Sequence, residues 1–235
     1  MLIIRKEWWG FVPKLLAEFA IVVLGVTLAL WADSWVSDRS DREDEQARLT
    51  ALQENIEVTL RDLRAERENA LGAAEVLRGL LSNDAIAFEQ RRQQFRYGML
   101  YGSSFFPELN VYDDLKNSGE LALLTNASLR RGLARMESQL EVLLLAQADL
   151  ASVQRLELDS YLLDETDLRP LFGEDVGLDW VTDEESIDFG FLSDTRFQNR
   201  VLLKLDILAW LDSCFADLDV ALVDVHATIL KQLNP

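Results

Sequence analysis

Residues 15–32 read Leu-Leu-Ala-Glu-Phe-Ala-Ile-Val-Val-Leu-Gly-Val-Thr-Leu-Ala-Leu-Trp-Ala, one apolar run whose single charge is Glu18. A helix rising ~1.5 Å per residue carries this run across roughly 27 Å, close to the hydrocarbon thickness of a bilayer. No second run of this kind follows. Trp8, Trp9 and Phe11 precede it, and Trp31 and Trp35 follow it. Amphipathic rings in those places match the aromatic belts at the two membrane interfaces. Cleavage as a signal peptide is disfavoured, because the apolar stretch is long and Leu30-Trp31-Ala32 puts leucine where a small residue is needed. The expected organisation is a short N-terminal tail (1–13), a transmembrane helix (14–36) and an acidic helical ectodomain (37–235).

Charge around the run gives a weak orientation signal. Arg5, Lys6 and Lys14 precede it and Arg39, Arg42 and Arg48 follow, so the Lys/Arg count is balanced. A short N-terminal tail is easily retained in the cytoplasm, and the expected arrangement puts the C-terminal domain outside, in the periplasm for a Gram-negative source. The formal net charge is −18. Basic and acidic residues cancel over 1–36, so all of this charge falls on the ectodomain. Such a surface repels nucleic acid and anionic headgroups, and nucleic acid is not an expected partner. One cysteine, Cys214, allows no internal disulfide.

Downstream, helical breakers are scarce. Between Gly10 and Gly72 the only glycine is Gly25, and no proline lies between Pro13 and Pro107. The membrane helix is therefore expected to run on, with Ser34, Ser37 and Ser40 the natural places for a bend. Leu49, Leu52, Ile56, Leu60, Leu63, Ala70, Ala74, Leu77 and Leu81 follow three- and four-residue steps. A shorter helix is expected over 85–105. Leu129, Leu133, Met136, Leu140, Leu143, Gln147, Leu150 and Gln154 form a heptad seam that turns polar at its far end. Val201, Leu205, Leu208, Leu211, Phe215, Leu218, Leu222, Val225 and Ile229 form another. These seams predict an all-α fold in which one N-terminal transmembrane helix continues into a long-helix antiparallel bundle.

Residues 164–192 break the pattern. They are rich in carboxylates yet carry Phe172, Trp180, Phe189 and Phe191, which a solvated linker would lack. An ordered acidic loop that tucks aromatics onto the bundle is expected, and these four rings are candidate partner contacts.

The sequence offers little chemistry. The one histidine, His226, has Val223 three residues before it, so the Glu-x-x-His pairs of a di-iron bundle are missing. One Cys and one His cannot furnish a zinc site. Asp164, Glu165, Asp167, Glu174, Asp175 and Asp179 lack the regular alternation and central glycine of a calcium loop. There is no glycine-rich phosphate loop and no nucleophile elbow. No catalytic residue, metal or cofactor is expected.

Glu18 is costly in hydrocarbon, up to ~3 kcal/mol at mid-membrane and less near the interface. It either reaches back to Lys14 or faces a partner helix. Glu18, Val22, Gly25, Ala29 and Ala32 share one helical face, narrow and rich in small residues, which permits close helix approach.

Two motifs carry a resemblance. Ala17-Glu18, Gly25, Ala29-Leu30 and Trp35 form one. Tyr112-x-x-Leu115-x-x-Ser118-Gly119-x-Leu121-x-x-Leu124-x-Asn126, followed by Leu129-Arg130, forms the other. Together they resemble a widespread uncharacterised family of bacterial single-span membrane proteins. Ala17, Trp31 and Asp33-Ser34 depart from that family's pattern, and the C-terminal third matches it only in being helical. The resemblance implies a helical one-span protein of the bacterial inner membrane and supplies no activity.

The leading expectation is a non-enzymatic scaffold or accessory subunit that acts through homo-oligomerisation or by joining another membrane complex. A periplasmic sensor ectodomain is an alternative, although the short tail leaves no room for an output module. An ion- or proton-conducting oligomer lined by Glu18 is a further one. From spacing alone, Tyr112, Leu115, Ser118, Gly119 and Asn126 read as a structural corner, with Gly119 closing one helix and Asn126 capping the next.

Overall fold

The computed structural model describes residues 11–82, 88–168 and 189–234, with side chains except at 11–17, 36–38, 40, 41, 88, 89 and 91. Six α-helices occur among them: α1 (Phe11–Leu81), α2 (Phe88–Leu100), α3 (Asn110–Asn117), α4 (Ala127–Val153), α5 (Ser160–Glu165) and α6 (Thr195–Leu233). A π-helical stretch, Gln154–Asp159, joins α4 to α5, and 3-10 turns lie at Glu120–Leu123 and Phe189–Ser193. The described residues contain no strand. The chain divides into two units between Thr50 and Ala51.

The first unit is the N-terminal part of α1. Its helix runs unbroken through Ser34, Ser37 and Ser40, so the expected bend does not interrupt it. Ser and Thr in a helix can return their hydroxyls to their own backbone. Thr27 does so, donating to the carbonyls of Val23 (2.8 Å) and Leu24 (3.0 Å). From Glu18 to Trp35 no side chain is buried. The stretch is long and apolar enough to cross a membrane, a property that a signal sequence near an N-terminus shares.

The second unit is a helical bundle. As α1 advances through Glu57, Arg64 and Arg67, its partners on α6 recede: His226 (2.8 Å), Asp219 (2.6 Å) and Asp212 (2.5 Å). The two helices are therefore antiparallel. So are α4 and α6, since Gly132 faces Val225 and Gln154 reaches Lys204. A Cβ on Gly132 would lie 3.1 Å from the Val225 side chain. Ala146 of α4 and Ala221 of α6 are also buried.

The expected seams form the core. Leu52, Ile56, Leu60, Leu63, Ala70, Ala74 and Leu77 are buried on α1, and Leu129, Leu133, Met136, Leu143 and Leu150 on α4. Leu140 is only half-buried. On α6 the buried stripe is Phe197, Val201, Lys204, Leu208, Leu211, Phe215, Leu218, Leu222, Val225 and Ile229. The strict four-three rhythm selects Lys204 for the core, whereas the apolar Leu205 beside it is half-buried. Burying each Leu contributes roughly 1.5–3 kcal/mol relative to exposure, so the repeated seam outweighs one buried charge.

The helix expected over 85–105 is shorter. It ends at Leu100, and residues 101–109 form an irregular segment. Gly102-Ser103-Ser104 are poor helix formers, and competing hydrogen bonds hold this stretch instead. The Tyr101 hydroxyl and the Ser104 backbone N–H both donate to Glu66 Oε1 (2.9 and 3.1 Å). Gln147 Nε2 donates to Ser103 Oγ (2.8 Å) and to the Phe105 carbonyl (3.3 Å). Asn55 donates to the Glu108 carbonyl. The segment thus lies along α1 and α4, with Phe105 edge-on to Phe215 of α6 (6.0 Å).

Candidate functional site

Glu18, Val22, Gly25, Ala29 and Ala32 follow four- and three-residue steps along an unbroken helix, so they share one face. All five are exposed. No described group donates a hydrogen bond to the Glu18 carboxylate. A Cβ on Gly25 would meet nothing within 4 Å, so nothing among the described residues requires glycine there. Trp31 and Trp35 are exposed on the same helix, while Trp8 and Trp9 lie outside the described residues. Polar lining is sparse, since the Thr27 hydroxyl is spent on its own helix.

The Tyr112 to Asn126 motif builds a corner. Gly119 has φ 79°, in the left-handed region, and directly follows the end of α3. Asn126 caps α4, its side chain accepting from Ser128 N (2.9 Å) and Leu129 N (3.2 Å). Tyr112 and Leu115 are buried beneath the corner. The Tyr112 hydroxyl donates to Glu137 Oε2 (2.8 Å), and Lys116 pairs with the same carboxylate. Lys116 first and the tyrosine second hold the Glu137 carboxyl below its usual range. Burial, followed by this hydrogen bond, pushes the Tyr112 hydroxyl up. Tyr112, Lys116 and Asn126 all find their partners within the chain, which is the arrangement of a structural joint.

Of the four loop aromatics, Phe172 and Trp180 lie outside the described residues. Phe189 and Phe191 enter an aromatic cluster at one end of the bundle. Phe191 is edge-on to Phe197 (5.2 Å) and to Phe95 (5.7 Å), and Phe189 sits 6.2 Å from Phe191. Tyr161 of α5 closes the cluster against Phe197 (5.7 Å). Its hydroxyl donates to Asp194, the residue that caps α6 by accepting from Arg196 N (2.8 Å). Arg196, through its backbone N–H and then its side chain, pulls the Asp194 carboxyl down to about 2. These rings pack on their own chain and so fasten the returning end of the acidic segment.

One constellation lies outside the sequence-based expectations. Lys204 is 0% exposed. Its ammonium donates to the carbonyls of Gly98 (3.1 Å) and Met99 (2.7 Å) in the last turn of α2, and to Gln154 Oε1 (2.7 Å). Gln154 Nε2 donates in turn to Asp159 Oδ1 (2.6 Å). That bond fixes the amide orientation and aims its oxygen at the lysine. Lysine and aspartate are thus a charge pair bridged by one glutamine, spanning the π-helical stretch. The extra backbone residue of a π turn shifts the buried face onward, here to Leu158. Desolvation pulls the Lys204 amine down to about 7, against an upward pull from Asp159. The polar far end of the α4 seam was the available signal: Gln147 and Gln154 each receive a buried or half-buried partner.

Other reactive groups are engaged or shielded. Cys214 is a buried free thiol, raised by desolvation. His226 sits half-buried at the seam edge against Glu57. Among the described residues no three His, Cys, Asp or Glu side chains group as metal ligands. Compared with family models, curated proteins and solved structures, the chain matches none of them.

Proposed function

We propose that this chain is a membrane-anchored, non-enzymatic helical scaffold or accessory subunit of the bacterial inner membrane, with its C-terminal domain on the periplasmic side. It acts by associating through the N-terminal part of α1, with itself or with another membrane complex. The observation that carries this reading is the face from Glu18 to Ala32, which is small, apolar and exposed, and whose one carboxylate has no partner among the described side chains. In hydrocarbon such a group is stabilised by pairing with another helix. The gap at Gly25 lets that helix approach closely. The resemblance to a one-span helical family belongs to the same reading. Conduction through an oligomer is less well supported, because Thr27 is the one polar residue after Glu18 in the apolar run and its hydroxyl proton is donated to its own helix.

The test is native mass spectrometry of the full chain released from detergent. Gly25→Ile holds two backbones apart and Glu18→Leu removes the polar contact, so both should lower the assembled fraction. Glu18→Gln should preserve assembly where the carboxyl is protonated in the contact and abolish it where it pairs with a cation. Identical assemblies for the unmodified chain, Gly25→Ile and Glu18→Leu would reduce the helix to a mere anchor and overturn the proposal.

A further inference from the structure

Helix α6 has two flanks beside its buried stripe, and α1 covers one of them. Asp212, Asp219 and His226 recur at seven-residue steps, two helical turns each, and meet Arg67, Arg64 and Glu57 of α1. The other flank carries Leu203, Asp206, Trp210, Asp217, Val220 and Asp224, which lie three, four or seven residues apart and so share a face. All six are exposed, Val220 by 50%. Arg135 of α4 stands 3.8 Å from Asp224, so this flank adjoins α4. Continuing in seven-residue steps along the antiparallel pair brings Val142 level with Asp217 and Asp149 level with Trp210. Val142 is exposed, as is Leu145 on the next turn (56%). The flank of α6 opposite α1, with the edge of α4 beside it, is thus an open apolar strip interspersed with carboxylates.

Charge separates the two flanks. Against α1, both aspartates meet an arginine, and α1 also brings the buried Leu60 and Leu63. On the open flank, Asp149, Asp206 and Asp217 have no partner among the described residues. Arg135 is spent on Asp224. The open flank therefore repeats the ingredients that α1 satisfies, apolar side chains beside aspartates, without a helix that satisfies them.

We propose that this open flank of α6, with the adjoining edge of α4, docks an amphipathic helix of another protein, whose apolar stripe is bordered by Lys or Arg. Val142, Leu203, Trp210 and Val220 supply the apolar contact, and an aromatic ring such as that of Trp210 commonly anchors an interface. Asp149, Asp206 and Asp217 select the cationic border and steer its approach. A second copy of the same face would set aspartates against aspartates, which opposes self-pairing here. The contact is separate from the one made by the apolar part of α1. Variants at Glu18 or Gly25 leave it intact, so the two readings fail independently.

The test is the fluorescence anisotropy of a dye-labelled helical peptide added to the full chain in phosphatidylcholine nanodiscs at physiological salt, with empty nanodiscs as the baseline. The peptide carries leucine at three- and four-residue steps, flanked by lysine; a second peptide has glutamate in place of every lysine. The lysine peptide should bind and the glutamate peptide should not. Asp206→Lys with Asp217→Lys should weaken the lysine peptide about tenfold or more and admit the glutamate peptide. Val142→Ser with Leu203→Ser should weaken the lysine peptide by a similar factor through lost apolar contact. Glu68→Lys with Glu75→Lys makes the same charge change at exposed positions on α1 and should leave binding within about twofold, because solvent screens distant charges. Failure of the lysine peptide to bind overturns the proposal, as does equal binding of the glutamate peptide. Equal weakening by the α1 variant would reduce the attraction to the overall charge of the domain. Loss of a self-assembled species in native mass spectra of Val142→Ser with Leu203→Ser would give the face to a second copy instead.

Discussion

Lys204 and Glu18 are each a lone charge in an otherwise apolar helical stripe, and the chain treats them in opposite ways. Lys204 meets three acceptors from two other elements, with a carboxylate one glutamine away. Glu18 has no partner among the described side chains. A buried charge costs several kcal/mol unless it is paired and hydrogen-bonded, and the bundle supplies both forms of compensation. The described side chains in the N-terminal part of α1 supply neither, and its apolar side chains are exposed along with its carboxylate. The bundle completes its own chemistry, whereas the apolar helix leaves its chemistry to its surroundings.

The comparison breaks most visibly at apolar positions. Phe215→Ala empties a site between α6 and Phe105 and should cost ~3–5 kcal/mol of bundle stability. Leu24→Ala deletes comparable apolar bulk from the exposed helix and should leave the chemical denaturation midpoint of the bundle unmoved. An equal effect from both would show that residues 18–35 pack within the folded chain.

A smaller effect tests the compensation itself. Gln154→Leu keeps the volume at that position but leaves one Lys204 donor and one Asp159 oxygen without their partner. Denaturant titration should show a loss of ~1–3 kcal/mol, the range for stranding a buried polar group. A neutral result would mean that Lys204 is satisfied by the α2 carbonyls alone.

The smallest effect is expected where the charge is near water. Arg64 pairs with Asp219 at 2.6 Å, yet the arginine side chain is more than half exposed. Arg64→Ala should cost below about 1 kcal/mol, because solvent screens the pair and already solvates its members. A larger loss by the same titration would mark the α1–α6 ion-pair row as cooperative.

Much of this architecture was legible from spacing. The four-three rhythm located all three long helices, and Gly119 and Asn126 announced the corner by their backbone and capping chemistry. Seam and structure part at Leu81 and Leu140, which are half-buried, and at Leu205, which is half-buried while its neighbour Lys204 takes the core position. Period outweighs residue type there, since a helix held in register on both sides cannot rotate one position to hide a leucine. The end of α2 is not legible locally, because the bonds holding Tyr101 and Ser104 come from Glu66, 35 and 38 residues away.

The sequence by itself therefore determined the helices, the burial stripes, the corner and an apolar segment able to cross a membrane. All of these follow from local periodicity and from the geometry of single residues. Tertiary structure alone decided which polar residues became buried partners. Gly98, Lys204 and the Gln154–Asp159 pair are distant in sequence, and each has an unremarkable local context. Only antiparallel packing of α6 on α4, with α2 laid against α1, brings their donors and acceptors within hydrogen-bond range.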